Sequence, residues 1–301
     1  MRVAHCVEVF VERKQYCGYG YCGPGKVLRR FARFTGKKNL ADIEDADVNA
    51  FLWHGSTANN TWRSYCSILG MFFRYWYARG QIGRVPTPHN KPSMPKSFSP
   101  YVYTRAEIHA LLDAIAVDQK HRICEIGDAT LRTVILVLYG TGMRINEALS
   151  LRRVDVDLRK HMIRIRDTSI VNRREIPIGR DVTSVLSRYV TSAKRNRLSD
   201  ESHLFLTRKG SAVRYDRVCE AFFRLRKIAG IKRGIGLIQP GLRDLRHTFA
   251  IHSIAQWSGD SVVLERMLPI LATYMGRIDM RGSEKYLPLS PNTYEAQLDR
   301  L

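Results

Sequence analysis

Leu138-Tyr139-Gly140-Thr141-Gly142-Met143-Arg144-Ile145-Asn146-Glu147-Ala148-Leu149-Ser150-Leu151, continuing to Asp155 and Asp157, is the stretch whose reading decides the fold. An apolar segment, Leu131 to Leu138, runs into it and is long enough for a buried helix. Gly140 and Gly142 break that helix. A short second helix is predicted beyond them, with Ile145, Leu149 and Leu151 turned inward. Arg144 then stands at a helix start. A guanidinium is a planar fork of donors that stays charged at any working pH, which suits it to clamping a phosphate. A surface arginine on a helix-turn-helix is the alternative reading of this stretch taken alone.

The stretch resembles the first arginine box of the tyrosine recombinases, the phage-integrase family. Members carry T-G-[LM]-R-x-x-E-x-L-x-L here, followed by D-[VI]-D. Thr141, Gly142, Met143, Arg144, Glu147, Leu149 and Leu151 fit that pattern.

Composition points the same way. The chain has 301 residues, enough for two domains, and a formal net charge of +21. Such an excess points to a polyanionic partner, most simply nucleic acid. No apolar run approaches a membrane span, and Met1 to Phe10 contains Arg2, His5 and Glu8, unlike a signal peptide. A soluble cytoplasmic protein is expected. The six cysteines are scattered, which argues for reduced thiols; Cys17 and Cys22 are not spaced as a zinc knuckle.

Residues 1–82 read as a helical N-terminal domain. Val7, Val9, Phe10 and Val11 give a first apolar segment, followed by a turn crowded with Gly18, Gly20, Gly23, Pro24 and Gly25. Val27, Leu28, Phe31 and Phe34 recur at helical spacing, Asp42 to Trp53 makes a third helix, and Asn59 or Asn60 caps a fourth. The aromatics of that fourth helix, among them Phe72, Phe73 and Trp76, are read as core. Arg29, Arg30, Arg33, Lys37, Lys38, Arg63, Arg74 and Arg79 remain to line an outer face and meet phosphates. Residues 83–100 hold Pro86, Pro88, Pro92, Pro95 and Pro100, and read as a linker. Residues 101–301 form the second domain. Thr104 to Glu107 is a capping box, His161–Arg166 and Glu175–Ile178 read as short strands, Asp181 to about Arg197 as a helix, and His203–Thr207 as a further short strand. The expected fold is mainly α with a small antiparallel β-sheet. The resemblance implies an N-terminal helical core-binding bundle and a C-terminal tyrosine-recombinase catalytic domain that close around duplex DNA.

Two further motifs carry the resemblance. Leu242-Arg243-Asp244-Leu245-Arg246-His247-Thr248-Phe249-Ala250 is similar to the family's H-x-L-R-H-[ST]-x-A box, centred on Arg246. Thr273-Tyr274-Met275-Gly276-Arg277 is similar to the box ending L-G-H or L-G-W, and Tyr286 follows at the interval of the family's nucleophilic tyrosine. Spacing alone singles out Tyr286 among fourteen tyrosines. The resemblance implies that Tyr286 attacks a phosphodiester while Arg144 and Arg246 neutralise charge on the non-bridging oxygens, with His247, Arg243 and Arg277 in support. The bond energy is kept in a phosphotyrosyl link, so no ATP or other cofactor is expected, and the two arginines do the work that metal ions do in many nucleases, so no metal is expected. The implied partner is double-stranded DNA, bound by a homo-oligomer (a tetramer on two duplexes) or by a hetero-assembly with sister recombinases. The end of the chain has Tyr294, Leu298 and Leu301 on one helical face, which docks on a neighbouring subunit or packs on its own domain.

Three positions depart from the family pattern. Arg243 replaces a histidine, Arg277 replaces a histidine or tryptophan, and Ser169 stands where a subgroup has the lysine that protonates the leaving oxygen. The loop from Asp167 to Arg174 holds no lysine. The alternative expectation is therefore a catalytically weakened DNA-binding subunit working beside an active sister recombinase. A type IB topoisomerase shares the chemistry, but box spacing and size favour a recombinase.

Overall fold

A computed structural model describes residues 1–54, 59–89, 92, 100–120, 124–166, 173–192, 199–234, 237–257 and 259–276. The chain divides into two compact units, the first ending at Phe98 and the second beginning at Ser99.

The first unit is a helical bundle of α1 (Val3–Tyr16), α2 (Cys22–Thr35), α3 (Asp45–Trp53) and α4 (Asn59–Tyr77). Its core is aromatic. Phe10, Phe31, Phe72 and Phe73 are fully buried, and edge-to-face pairs join Phe10 to Phe72 and Phe31 to Phe73. Phe34, expected on the buried stripe, is instead exposed, because α2 turns Leu28, Phe31, Ala32 and Thr35 inward. The glycine-rich turn is shorter than the sequence suggests. Gly18, at φ +81°, closes α1, and α2 already begins at Cys22. Pro24 is tolerated there because a first-turn N–H has no helical acceptor to lose. The third helix begins at Asp45, not Asp42: Leu40–Asp42 is a separate 3-10 turn, and the Asp47 carboxylate accepts the Glu44 N–H at 3.0 Å.

The second unit packs α5 (Arg105–Lys120), α6 (Asp128–Thr141), α7 (Ile145–Ser150), α8 (Arg180–Val190), α9 (Tyr215–Ile228), α10 (Leu242–Trp257) and α11 (Ser261–Tyr274) with a three-stranded antiparallel sheet. α5 opens on the expected capping box: Thr104 N donates to Glu107 Oε2 and Glu107 N to Thr104 Oγ1. α6 is the central helix, burying Leu131, Val134, Ile135 and Leu138 in one cluster with Leu111, Ile115, Leu186 and Leu245. The strands are β1 (Val156–Asp157), β2 (Met162–Ile165) and β3 (Arg174–Pro177), in that spatial order. Ile163 faces Ile176 across β2 and β3, both buried. β1 was not expected. The expected strand at His203–Thr207 reduces to isolated bridges, His203 with Arg152 and Leu206 with Ala212. α8 stops at Val190. α11 was not anticipated. Asp260 caps it by accepting the Val262 and Val263 N–H groups, and it accommodates Pro269 in its interior. It packs on α10 through Ala250, Ile251, Ile254, Leu268, Leu271 and Met275. Among the described residues no helix is long and apolar enough to cross a membrane.

Candidate active site

The site is assembled where α6 ends. Gly142 closes that helix at φ +58°, a conformation that costs a side-chain-bearing residue energy. A Cβ there would also lie 2.3 Å from Phe249 Cδ1 of α10. The bare backbone therefore lets α10 approach until Arg246 Nη1 reaches Gly142 O at 2.6 Å.

Arg144 precedes the first residue of α7. Its N–H donates to Glu147 Oε2 at 2.8 Å, its Nη1 to Glu147 Oε1 at 2.7 Å, and its Nη2 to Gly276 O at 2.8 Å. Arg246 Nη2 donates to Met275 O at 2.6 Å. Arg174, the first residue of β3, sends Nε to Tyr274 O at 2.9 Å and both terminal nitrogens to the Glu147 carboxylate, at 3.1 and 3.0 Å. Three arginines from three elements thus meet three consecutive carbonyls, those of Tyr274, Met275 and Gly276. These carbonyls end α11, where helical acceptors are left unpaired and carry partial negative charge.

Among the described residues the site bears three guanidinium charges, of Arg144, Arg174 and Arg246, and one carboxylate, of Glu147. Glu147 is buried, and burial alone would raise its carboxyl. Hydrogen bonds from Arg174 and from the Arg144 N–H and side chain outweigh that and leave it below its ordinary value. Arg144 keeps a side-chain exposure of 43%, whereas Arg174 keeps 12%. Arg144 is thus open to a ligand and Arg174 is enclosed. Burial raises the Tyr274 hydroxyl to about 12, with Arg174 pulling the other way, and that hydroxyl donates to Pro177 O at 3.0 Å.

Of the residues expected at the site, Arg144 and Arg246 come together on one turn. His247 is on α10 beside Arg246 and partly buried, while Arg243 is exposed in the first turn of the same helix. Arg277, Tyr286 and Ser169 lie outside the described residues, as does the terminal face of Tyr294, Leu298 and Leu301. Glu147 and Arg174 were not among the expected site residues. Glu147 had a signal, three positions after the box arginine, the spacing that puts a carboxylate over a helix start. Arg174 had only its place in the Arg174–Ile178 segment.

Residues 102–268 match the family described as the phage integrase family, and the chain belongs to it. It is 25% identical over 299 residues to the putative integrase/recombinase y4rB of Sinorhizobium fredii, covering 98% of this chain and 95% of that protein. It is also 25% identical over 253 residues to the tyrosine recombinase XerC of Staphylococcus saprophyticus, covering 77% of this chain and 81% of that protein. In fold it is similar to the Tn1549 transposon integrase in complex with transposon right end DNA, at a TM-score of 0.68 and 19% identity, covering 100% of this chain and 99% of that one. A lambda integrase dimer bound to a core site gives a TM-score of 0.65 at 14% identity, covering 95% of each chain.

Proposed function

We propose that this chain is a site-specific DNA recombinase of a mobile element, cutting and rejoining DNA through a 3′-phosphotyrosyl intermediate. The observation that carries the reading is the convergence of Arg144 and Arg246 on one turn, with donors aimed at neighbouring acceptors. Net positive charge in a partly enclosed site is what a phosphodiester needs as it passes through a more highly charged transition state. The Tyr286 oxygen forms a bond to phosphorus, the bond from phosphorus to the 5′-oxygen breaks, and that oxygen takes a proton. Attack by a second 5′-hydroxyl reverses the step on a new strand and frees the tyrosine. Names such as integrase, recombinase and transposon integrase among the relatives support this reading, and the net charge of +21 supports duplex DNA as the partner. Exchange between two duplexes requires several subunits, so a tetramer is the working form proposed.

Tyr274 is a poor alternative nucleophile. Its proton is held by burial, and its hydroxyl is committed to Pro177 O. A second reading, a DNA-binding subunit dependent on an active sister, draws on Arg243, Arg277 and the absence of lysine between Asp167 and Arg174. The two readings separate in one assay. The full chain first selects its site from a random-sequence duplex pool. A nicked form of that duplex is then offered, so that cleavage traps the protein covalently. The recombinase reading expects a trapped complex that Tyr286→Phe abolishes without loss of binding. Binding without trapping favours the subunit reading, and a link mapped to Tyr274 overturns the assignment of Tyr286. Ser169→Lys is expected to speed trapping, since a general acid typically contributes ~10²–10⁴-fold.

A further inference from the structure

The proposed chemistry uses Arg144, Arg246 and Tyr286 and leaves Arg174 without a role, although the Arg174 side chain is far more enclosed than that of Arg144. Its guanidinium grips both oxygens of Glu147, the carboxylate that holds Arg144 by its N–H and by Nη1. Its Nε holds Tyr274 O, in the last residue of α11. Its flat face fills the space over Gly276: a Cβ there would stand 2.5 Å from Arg174 Nη1 and 2.6 Å from Cζ. Gly276 is also at φ +65°, so it is glycine for two reasons that act together.

We propose that Arg174 is a positioning residue, fixing in one set of contacts the guanidinium of Arg144 and the turn by which the chain leaves α11 toward Tyr286. This rests on the recombinase reading for its consequence, and on geometry alone for its structure. A phosphate arriving at the site competes with the carbonyls of Gly276 and Met275 for Arg144 and Arg246. Arg174 is shielded from that competition and keeps Tyr274 O in hand. Glu147 faces cations from two elements, Arg144 at the start of α7 and Arg174 on β3. With Arg174 gone, Arg144 is the cation left on this buried carboxylate among the described residues, and it is drawn toward Glu147, away from the phosphate.

The test uses the full chain and two readouts. On the nicked duplex carrying the selected site, Arg174→Met is expected to slow covalent trapping about 10²-fold, the scale of a misplacement near 1 Å. Duplex affinity should stay within about threefold. Arg174→Lys should recover part of the rate. The acid limb of the Arg174→Met pH–rate profile should move to higher pH, because Glu147 has lost a cation that keeps it ionised. A merely structural role would lower yield and stability without moving that limb. A trapping rate within about threefold of the parent, or an unmoved limb, overturns the proposal. The second readout needs no DNA. Gly276→Ala should lower the melting temperature, and should lower it less in an Arg174→Ala background, where the clash is relieved and only the backbone strain remains. Equal costs in both backgrounds overturn the proposed arrangement. If the parent chain traps no DNA, the recombinase reading fails, and the melting cycle still decides whether Arg174 holds the turn.

Discussion

Gly142 is held to glycine by backbone angle and by the Phe249 ring at once. Left-handed backbone costs a side-chain-bearing residue roughly 1–2 kcal/mol, and moving a packed ring adds to it. Gly142→Ala is therefore expected to lose about 2 kcal/mol or more in urea denaturation; a change below about 0.5 kcal/mol would refute the packing of α6 on α10. His252 supplies a pH dependence. Burial lowers its pKa, as does Arg105, and Nδ1 lies 3.2 Å from the Tyr139 hydroxyl. The unfolded chain thus binds this proton more readily than the folded one. The neutral ring's contribution is fully present above the unfolded value near 6.5, and is lost as pH falls toward the folded value. Between pH 7.5 and 5.5 the parent should lose more melting temperature than His252→Gln, and parallel curves would contradict the assignment. Residues of this kind differ in legibility. Arg144 and Arg246 could be read from the sequence because their side chains carry the motif. Their acceptors could not, because the carbonyls of Tyr274, Met275 and Gly276 are chemically the same as every other carbonyl in the chain. Arg174 stood in a recognisable segment, yet its role depends on Glu147 and Gly276, which are distant from it in sequence.

Elements were legible where one periodicity dominated. α6 reads directly from Leu131 to Leu138, and α5 from its capping box. Strand limits moved by a residue or so, since alternation places faces better than ends. α11 is harder to read, since Pro269 lies in its interior and an interior proline ordinarily argues against a helix. β3 shows what the alternation buys. Arg174 and Ile176 share one face of the strand, and Glu175 points the other way, to Arg164 at 2.9 Å. Ile176 is buried against Ile163, so Ile176→Ala should cost about 2–5 kcal/mol and loosen the seat of Arg174. The Glu175–Arg164 pair is more than half exposed, and Glu175→Ala should cost at most about 1 kcal/mol. Comparable losses for the two variants in urea titrations would mean that the strand's faces are assigned the wrong way round.

At the scale of the whole molecule, the proline-rich segment decides how the chain comes apart. The sequence marks residues 83–100 as linker by composition, but the start of that segment is held to the first unit. Asp45 accepts from Arg84 at 3.1 Å and from the Thr87 N–H at 2.9 Å, and Asn49 accepts from the His89 N–H at 2.9 Å. Arg63 donates to Pro92 O at 2.7 Å. Pro86 is buried. None of these contacts is visible in composition, which records that the prolines forbid a helix and not what the backbone bonds to instead. A protease needs several residues of backbone free to enter its cleft, so bonded backbone resists cutting even at the surface. Mild trypsin is therefore expected to cut first at Lys96, not at Arg84, and to leave a stable fragment starting close to Tyr101; Lys91 is followed by Pro92, a bond trypsin does not cut. Asp45→Ala removes two of the ties and should bring cleavage at Arg84 level with that at Lys96. Mass spectrometry of the first fragments decides it. Early cutting at Arg84 in the parent would show that Asp45 does not hold the segment, and first cuts between residues 130 and 250 would contradict a separately folded second unit.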